Sequence, residues 1–431
     1  MDKISIIVSC PIDTYSGYGA RSRDFVKALL LDKKYDVRIL SQRWGNTSFG
    51  YLNDHNEDEL SSLIIPTLTS KPDVWVQITV PNEFQKVGKY NIGVTAGIET
   101  TVCDSSWIIG CNNMDLVLTS SQHSKSVFEK TIYEEENKQT GVKNTLKLNT
   151  KVEVLFEGVD ITKYFKSASN FDLSSIKEEF CFLFVGTWLP GDFGQDRKNI
   201  GYTIKAFLET FKNKPTQPAL ILKTGLGTSS HMNSDVIFKK IDLIRRSVKG
   251  KLPNIYFIDG DMNDSEVNAL YNHSKVKAMI CLTKGEGFGR PLLEFSTVGK
   301  PIITSFWSGH TDFLYRDFVK FIGGQLTQVH KSASSKNMIL ENAQWFTPDD
   351  AEVNNALKEI YKNYKKYLEP AKRQSYLSKT NFSFEAMSLL LSSILKDNLP
   401  EFPKQLDLNL PNLQPSTSNG LQTLSLPKFK V

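Results

Sequence analysis

Short apolar runs of β-forming residues alternate with amphipathic helical stretches along nearly the whole chain, and few folds admit that alternation. Strand-like runs fall at 4–8, 37–40, 74–78, 91–94, 116–119 and 152–155, with helices between them that are clearest at 20–31 and 122–130. A second series follows at 181–185, 219–223, 255–258, 276–282 and 301–304, with helices at 199–211, 235–248, 265–273 and 291–298. The expected class is therefore α/β with parallel sheets, in two Rossmann-like domains joined near 160–179, where serines and asparagine supply turn chemistry. At 431 residues there is room for two full cores. The expected division is 1–165, 175–345, helices over 346–396 and a tail over 397–431. Within it, 133–150 reads as a polar loop insertion. The helices expected near the end run over 349–367 and 384–396, the second N-capped by Ser383. The tail, with five prolines after 398, reads as disordered alone or draped over a surface.

Composition narrows the class further. Hydrophobic residues make up 40% and charged residues 23%, as in an ordinary globular protein. The net charge of +5 is spread along the chain; it suits an anionic ligand or peripheral contact with a membrane surface without demanding either. No run of 18 apolar residues offers a transmembrane helix, and the N-terminus enters a strand without a signal-peptide pattern. Cys10, Cys103, Cys111, Cys181 and Cys281 are odd in number and widely spaced, with no zinc-like cluster. A reducing cytoplasm fits best.

The segment Lys284-Gly285-Glu286-Gly287-Phe288-Gly289-Arg290-Pro291-Leu292-Leu293-Glu294-Phe295 carries the most chemistry. It follows an apolar strand, turns on glycines and enters a helix, a geometry that presents backbone N–H groups to an anion. Glu286 in the loop is placed to accept hydrogen bonds from sugar hydroxyls, and Glu294, one turn into the helix, to hold a second diol such as a ribose. The competing reading, a surface helix with two glutamates, does not account for the glycines, the proline and the flanking strands together. Cationic groups follow the first strand of the second half, in Asp196-Arg197-Lys198-Asn199, and Lys223 ends the next strand at the sheet edge where ligands bind. Each lone lysine also reads as a solvated surface charge. In the N-terminal half, Gly17 and Gly19 sit at the turn from first strand to first helix, where a backbone approaches a ligand closely. Asp259-Gly260-Asp261 spells a metal-binding D-x-D, but its place between a strand and a capped helix reads as a turn. Ser120, Ser121 and Gln122 read as a helix cap, and Asp115 as a strand-start residue. His310 shares no spacing with the other histidines, so a catalytic His–Asp–Ser set is not supported.

The 284–295 motif resembles the E-x7-E signature of retaining glycosyltransferases of the GT-B fold, family 4, and the match runs on through Val298-Gly299-Lys300-Pro301-Ile302-Ile303-Thr304-Ser305. The resemblance implies two Rossmann-like domains facing each other across a cleft, with the C-terminal helices crossing back to the N-terminal domain. It implies that Glu286 contacts the transferred sugar, that Glu294 holds the nucleotide ribose, and that Arg197 and Lys198 take the diphosphate together with Lys223 and the helix start at Gly289. Gly287, Phe288, Gly17, Gly19 and Thr187 join the donor-binding set; Thr187 stands where the family often has arginine. In Gly93-Val94-Thr95-Ala96-Gly97-Ile98-Glu99-Thr100-Thr101 the chain resembles a branch with Glu-Thr in place of the family's histidine, so Glu99 faces the cleft and orients acceptor or sugar. Glu157-Gly158-Val159-Asp160 resembles the family's Asn-Gly-Val-Asp, with Gly158 at a special backbone angle and Asp160 bracing the hinge.

The function expected is retaining transfer from a nucleotide-sugar to an acceptor hydroxyl, without metal or cofactor, a UDP- or GDP-sugar acting as co-substrate. The acceptor stays open among glycan, lipid-linked sugar, protein and small molecule. A nucleic-acid acceptor stays in view because of the basic balance, although no compact basic–aromatic stripe supports it. A nucleotide-sugar epimerase or hydrolase of the same fold would want further acid/base groups in the cleft. A catalytically silent binder is at odds with intact Glu286 and Glu294. The oligomeric state cannot be read. Glu286→Ala is expected to remove transfer while leaving folding intact.

Overall fold

In the computed structural model, which describes residues 3–136, 143–227 and 231–402, both series of apolar runs become parallel sheets. The first contains β1 (Ile4–Cys10), β2 (Tyr35–Ser41), β3 (Val74–Ile78), β4 (Tyr90–Thr95) and β5 (Leu116–Thr119). A peripheral antiparallel hairpin, β6 (Tyr133–Glu136) and β7 (Lys143–Leu146), precedes its last strand, β8 (Val152–Val154). The strand order is β2-β1-β3-β4-β5-β8. The second sheet contains β9 (Cys181–Val185), β10 (Ala219–Lys223), β11 (Ile255–Ile258), β12 (Val276–Cys281), β13 (Ile302–Ser305) and β14 (Lys320–Ile322), in the order β11-β10-β9-β12-β13-β14. A second hairpin, β15 (Gly324–Gln328) with β16 (Gln344–Pro348), closes the strand list.

The central strands of each sheet have no polar face to give to water, whereas the edge strand β2 turns Asp36 and Arg38 outward. Phe182, Leu183 and Phe184 of β9 and Leu220, Ile221 and Leu222 of β10 are all buried, as befits parallel strands covered by helices on both faces. The helices are stopped and started by local chemistry. Ser16 caps the Gly17–Leu30 helix through Gly19 N, Ser121 caps Gln122–Lys130 through Ser124 N, and Asn263 with Glu266 forms a capping box on Asp264–Asn272. Ser383 caps the Phe384–Asn398 helix through Ala386 N.

Three expectations change. The polar 133–150 stretch is not a bare loop: its ends pair as β6 and β7, and Tyr133 Oη anchors the hairpin on Cys103 O at 2.6 Å. The single helix expected over 349–367 is two, Asp350–Lys362 and Tyr364–Asn381, parted at Asn363. Gly158 has no left-handed backbone; a Cβ there would stand 2.7 Å from Phe384 Cα, so space rather than angle demands glycine. Of the tail expected over 397–431, residues 403–431 lie outside the described residues.

The described residues up to Leu399 form one compact unit. Within it the lobes are tied together twice. The chain returns from the second lobe at Phe382, whose carbonyl accepts from Val159 N at 2.9 Å, and the Phe384–Asn398 helix then packs on the Gly17–Leu30 helix of the first lobe. On the other side, the segment around β15–β16 reaches the first lobe. Thr101 N donates to Gln344 O at 2.9 Å, Gln344 N donates to Thr101 Oγ1 at 2.9 Å, and Trp107 Nε1 donates to Asn337 O at 2.6 Å. Val102 and Trp307 pack there against a buried cluster that contains Trp345. Among the described residues no helix is long and apolar enough to cross a membrane.

Candidate active site

The second sheet reverses direction of growth between β9 and β12, and in open α/β sheets ligands bind beyond the strand ends at that reversal. Two loops leave there: 186–199 after β9 and 282–289 after β12. They are stitched to each other. Asn199, held at φ 56°, donates from Nδ2 to Leu282 O at 3.0 Å, and Arg197 O accepts from Lys284 N at 2.8 Å. Asp196 Oδ2 accepts from Ile200 N at 3.1 Å, starting the next helix. The stitched loops bring Arg197 and Lys198 to Glu286.

Glu286 is 5% exposed. Lys198 Nζ donates to its two carboxylate oxygens at 2.7 and 2.8 Å, and Arg197 Nη1 reaches it at 3.3 Å. Burial pushes the Glu286 carboxyl up, but the Lys198 and Arg197 charges outweigh it and bring it down to about 2. Arg197 also reaches across the lobes, Nη2 lying 3.5 Å from Glu99 Oε1. Beneath Glu286, buried His310 engages Ser305 O through Nε2 at 2.7 Å; burial lowers its pKa, and it is a packed core residue.

Glu294, one helical turn on, belongs to a second network. Arg290 Nε donates to Glu294 Oε1 at 3.0 Å and Arg290 Nη1 to Asp24 Oδ2 of the first lobe at 2.6 Å, with Glu157 Oε2 at 3.9 Å. Tyr271 Oη donates to Glu294 Oε2 at 3.4 Å. Burial raises the Glu294 carboxyl to about 7, against the pull of Arg290 and with help from Asp264 and Asp24. Burial likewise raises Glu157, against Arg21 and Arg290.

A cleft of 380 Å³ opens between the lobes. Of the residues expected at a donor site, Gly17, Thr187, Lys223 and Glu294 line it. Lys198, Glu286 and Gly289 line a 10 Å³ recess beside it, and Val185 lines both. Lys223 donates to Gly260 O, and burial lowers its pKa. Asp259, Gly260 and Asp261 form a turn on the cleft wall, Gly260 at φ 84°; among the described residues no group of three or more His, Cys, Asp or Glu is placed to hold a metal.

Five expected residues line neither the cleft nor the recess, Arg197 among them, which meets the site through Glu286 and the Gly285 carbonyl. Gly19 faces its own loop, where a Cβ would meet Thr14 O at 2.2 Å. Gly287 lets the lobes touch, since a Cβ would meet Ala96 O at 2.3 Å. Phe288 packs its ring on Phe313 in the core, 4.8 Å between centroids. Glu99 lies outside the cleft lining, held by Arg197 where Gly285 meets the Glu99 carbonyl. The helix after Gly289 spans only Arg290–Ser296, a short dipole. Ser121 is the expected cap, while Asp115 braces Asn91 through Oδ2 at 2.8 Å. Asp160 Oδ1 accepts from Thr162 N at 2.9 Å. Sequence reading missed Arg290 and Asp24; the spacing of Arg290 and Glu294, four apart on one helix, was the available signal.

No family model matches the chain, and no curated protein matches it in sequence. Solved structures do. A glycosyltransferase from Rickettsia africae superposes with a TM-score of 0.62 at 12% identity, covering 93% of this chain and 100% of that one. Anabaena HepE in complex with UDP-glucose gives 0.58 at 13% identity, covering 91% and 100%. Sucrose-phosphate synthase from Thermosynechococcus elongatus gives 0.59 at 11% identity, covering 92% and 99%. The two parallel sheets, the crossing helices and these likenesses together define the GT-B fold.

Proposed function

We propose that this chain is a glycosyltransferase that takes a nucleotide-activated sugar and transfers it with retention, without a metal. The observation that carries the reading is the placement of Glu286, clamped by Lys198 and Arg197, beside an interlobe cleft lined by Glu294 and Lys223. Anabaena HepE binds UDP-glucose on the same fold. In the proposed reaction the bond from the sugar's anomeric carbon to the diphosphate oxygen breaks. A bond to the acceptor oxygen forms on the same face, and the acceptor proton passes to the leaving diphosphate. Glu286 accepts from the sugar hydroxyls, Glu294 from the ribose. Lys223, with Lys198 and Arg197 shared from Glu286, offsets the charge that develops on the diphosphate. Family 4 is the group whose signature fits best.

The test is a thermal-shift screen against UDP-, GDP- and ADP-sugars. A donor at 100 times its Kd adds about 2.7 kcal/mol to stability by mass action. The selected donor is then incubated with and without candidate acceptors, and the anomeric configuration of the product is read by NMR. Absence of any stabilising nucleotide-sugar refutes the reading. Stabilisation without transfer or hydrolysis leaves a binder, and an inverted product refutes retention. Both alanine and glutamine at 286 leave Lys198 and Arg197 without their counter-charge, but glutamine keeps the volume and one accepting oxygen, so Glu286→Gln is the better probe of transfer, with a folding control beside it.

A further inference from the structure

One buried cation on the cleft wall has no carboxylate of its own. Arg23, in the Gly17–Leu30 helix of the first lobe, is 7% exposed and lines the cleft. Its Nη1 donates to Ile12 O at 2.9 Å and Thr14 O at 3.0 Å, and its guanidinium lies 3.4 Å over the Tyr51 ring. Tyr51 is backed in turn by His55, stacked at 3.9 Å. Among the described residues no carboxylate makes an ion pair with Arg23, whereas the neighbouring cleft cations are matched: Lys27 with Glu57 at 2.6 Å, Lys163 with Asp264 at 2.8 Å, Arg290 with Asp24 at 2.6 Å. A buried charge is ordinarily paired, because taking it from water costs several kcal/mol. The carbonyls and the ring fix where the guanidinium sits; they do not neutralise it.

Among the described residues its hydrogen bonds all leave from Nη1, which leaves the Nε and Nη2 donors, a fork suited to a phosphate or carboxylate. Tyr15, which also lines the cleft on this lobe, stands edge-on to Tyr51 at 5.1 Å. Aromatic rings beside an arginine suit a sugar ring bearing an anionic group. On the opposite wall stand Lys223 and Glu294, the groups assigned above to the donor.

We infer that Arg23 is the phosphate-binding residue of an acceptor subsite, and that the acceptor is a phosphomonoester of a sugar, held on the first lobe by Arg23 and Tyr15. This rests on the transferase reading. The same chemistry is carried by a soluble sugar phosphate and by a phospholipid headgroup, and the test separates them. Full-length protein saturated with the nucleotide selected in the donor screen is titrated calorimetrically with glucose 6-phosphate, glucose, and vesicles of phosphatidic acid in phosphatidylcholine. Glucose 6-phosphate is expected to bind at least about tenfold more tightly than glucose, as hydrogen bonds to a charged group warrant. R23Q is expected to remove that preference while leaving nucleotide affinity within about twofold, and R23K to restore part of it. Equal affinity for glucose and glucose 6-phosphate in the wild-type protein overturns the inference, whether or not R23Q folds. Preference for the vesicles over glucose 6-phosphate overturns the soluble source. Loss of nucleotide affinity in R23Q assigns Arg23 to the donor and also overturns it. Failure of every nucleotide to bind the wild-type protein strikes the transferase reading instead.

Discussion

The clamp on Glu286 has a stability consequence that needs no substrate to measure. Its ordinary pKa of 4.5 falls to about 2 in the folded protein, which corresponds to about 3 kcal/mol favouring the ionised, folded state. Breaking a buried ion pair from one side costs about 3–5 kcal/mol by general experience, in agreement. Glu286→Gln is therefore expected to destabilise by about 3 kcal/mol at pH 7. With an unfolding entropy of about 2.1 cal/mol/K per residue over a compact unit of about 390 residues, that is a Tm loss of roughly 4 °C. Lys198→Met alone also destabilises, because Glu286 then keeps only Arg197 at 3.3 Å. The double variant, which removes both charges, is expected to recover at least about 1.5 kcal/mol relative to the sum of the singles. Because the folded pKa is depressed, the stabilisation is present above pH 4.5 and drains away as the pH falls towards 2. At pH 3.5 the gap between wild type and Glu286→Gln should be smaller by about 1 kcal/mol. Urea unfolding at both pH values measures it. Additive singles, or a gap that does not change with pH, would show that the clamp contributes nothing to the fold.

Two further perturbations probe the lobes and the second glutamate. In Gly287→Ala the new Cβ would stand 2.3 Å from Ala96 O, so the lobes must part by about 1 Å; a stability loss of about 1–3 kcal/mol and a roughly hundredfold drop in transfer are expected, with donor affinity retained. Unchanged transfer would mean that the lobes meet differently in solution. Glu294, raised from 4.5 to about 7, holds its proton more tightly when folded. Its contribution is thus full below pH 4.5 and lost as the pH rises to 7, and Glu294→Gln should flatten the stability decline across that interval. A variant with an unaltered pH profile would remove Glu294 as its source.

The parts of the fold that could be read from sequence are those where a run is apolar on both faces. β3, β5, β9 and β10 begin and end where their apolar runs do, since parallel strands under helices expose little, and the half-buried edge strand β11 does the same. Patterns that serve two masters were lost. Ser105–Asn112 is a helix around Trp107 and Ile108, too uniformly apolar to show a period. Tyr364–Asn381 continues through Pro370, which reads as a breaker in sequence. β15 and β16 are held by pairing to each other and by the first lobe rather than by any pattern of their own. At the site, the loop glycines and the two glutamates were visible because spacing carries them. The Arg290–Asp24 bridge joins residues 266 positions apart, and no local pattern records such a pair.

The charges around the cleft also bear on how a donor would be received. Arg197 and Lys198 are spent on Glu286, Arg290 on Asp24 and Glu294, Lys27 on Glu57 and Lys163 on Asp264. Among the described residues, Lys223 and Arg23 are the cleft-lining cations without an ion-pair partner, one on each wall. A diphosphate arriving at the second lobe would therefore meet one unmatched lysine at once and would gain the others by exchange, displacing internal carboxylates from cations they already hold. Exchange of that kind favours a ligand with two or more negative charges, because a neutral sugar offers the stranded cations nothing in return. On the proposed reading it would also free Glu286 to turn its oxygens to sugar hydroxyls as the diphosphate takes Lys198. Sugar recognition and charge compensation would then be one event at the seam where the 186–199 and 282–289 loops are stitched together, each loop supplying one of the two partners.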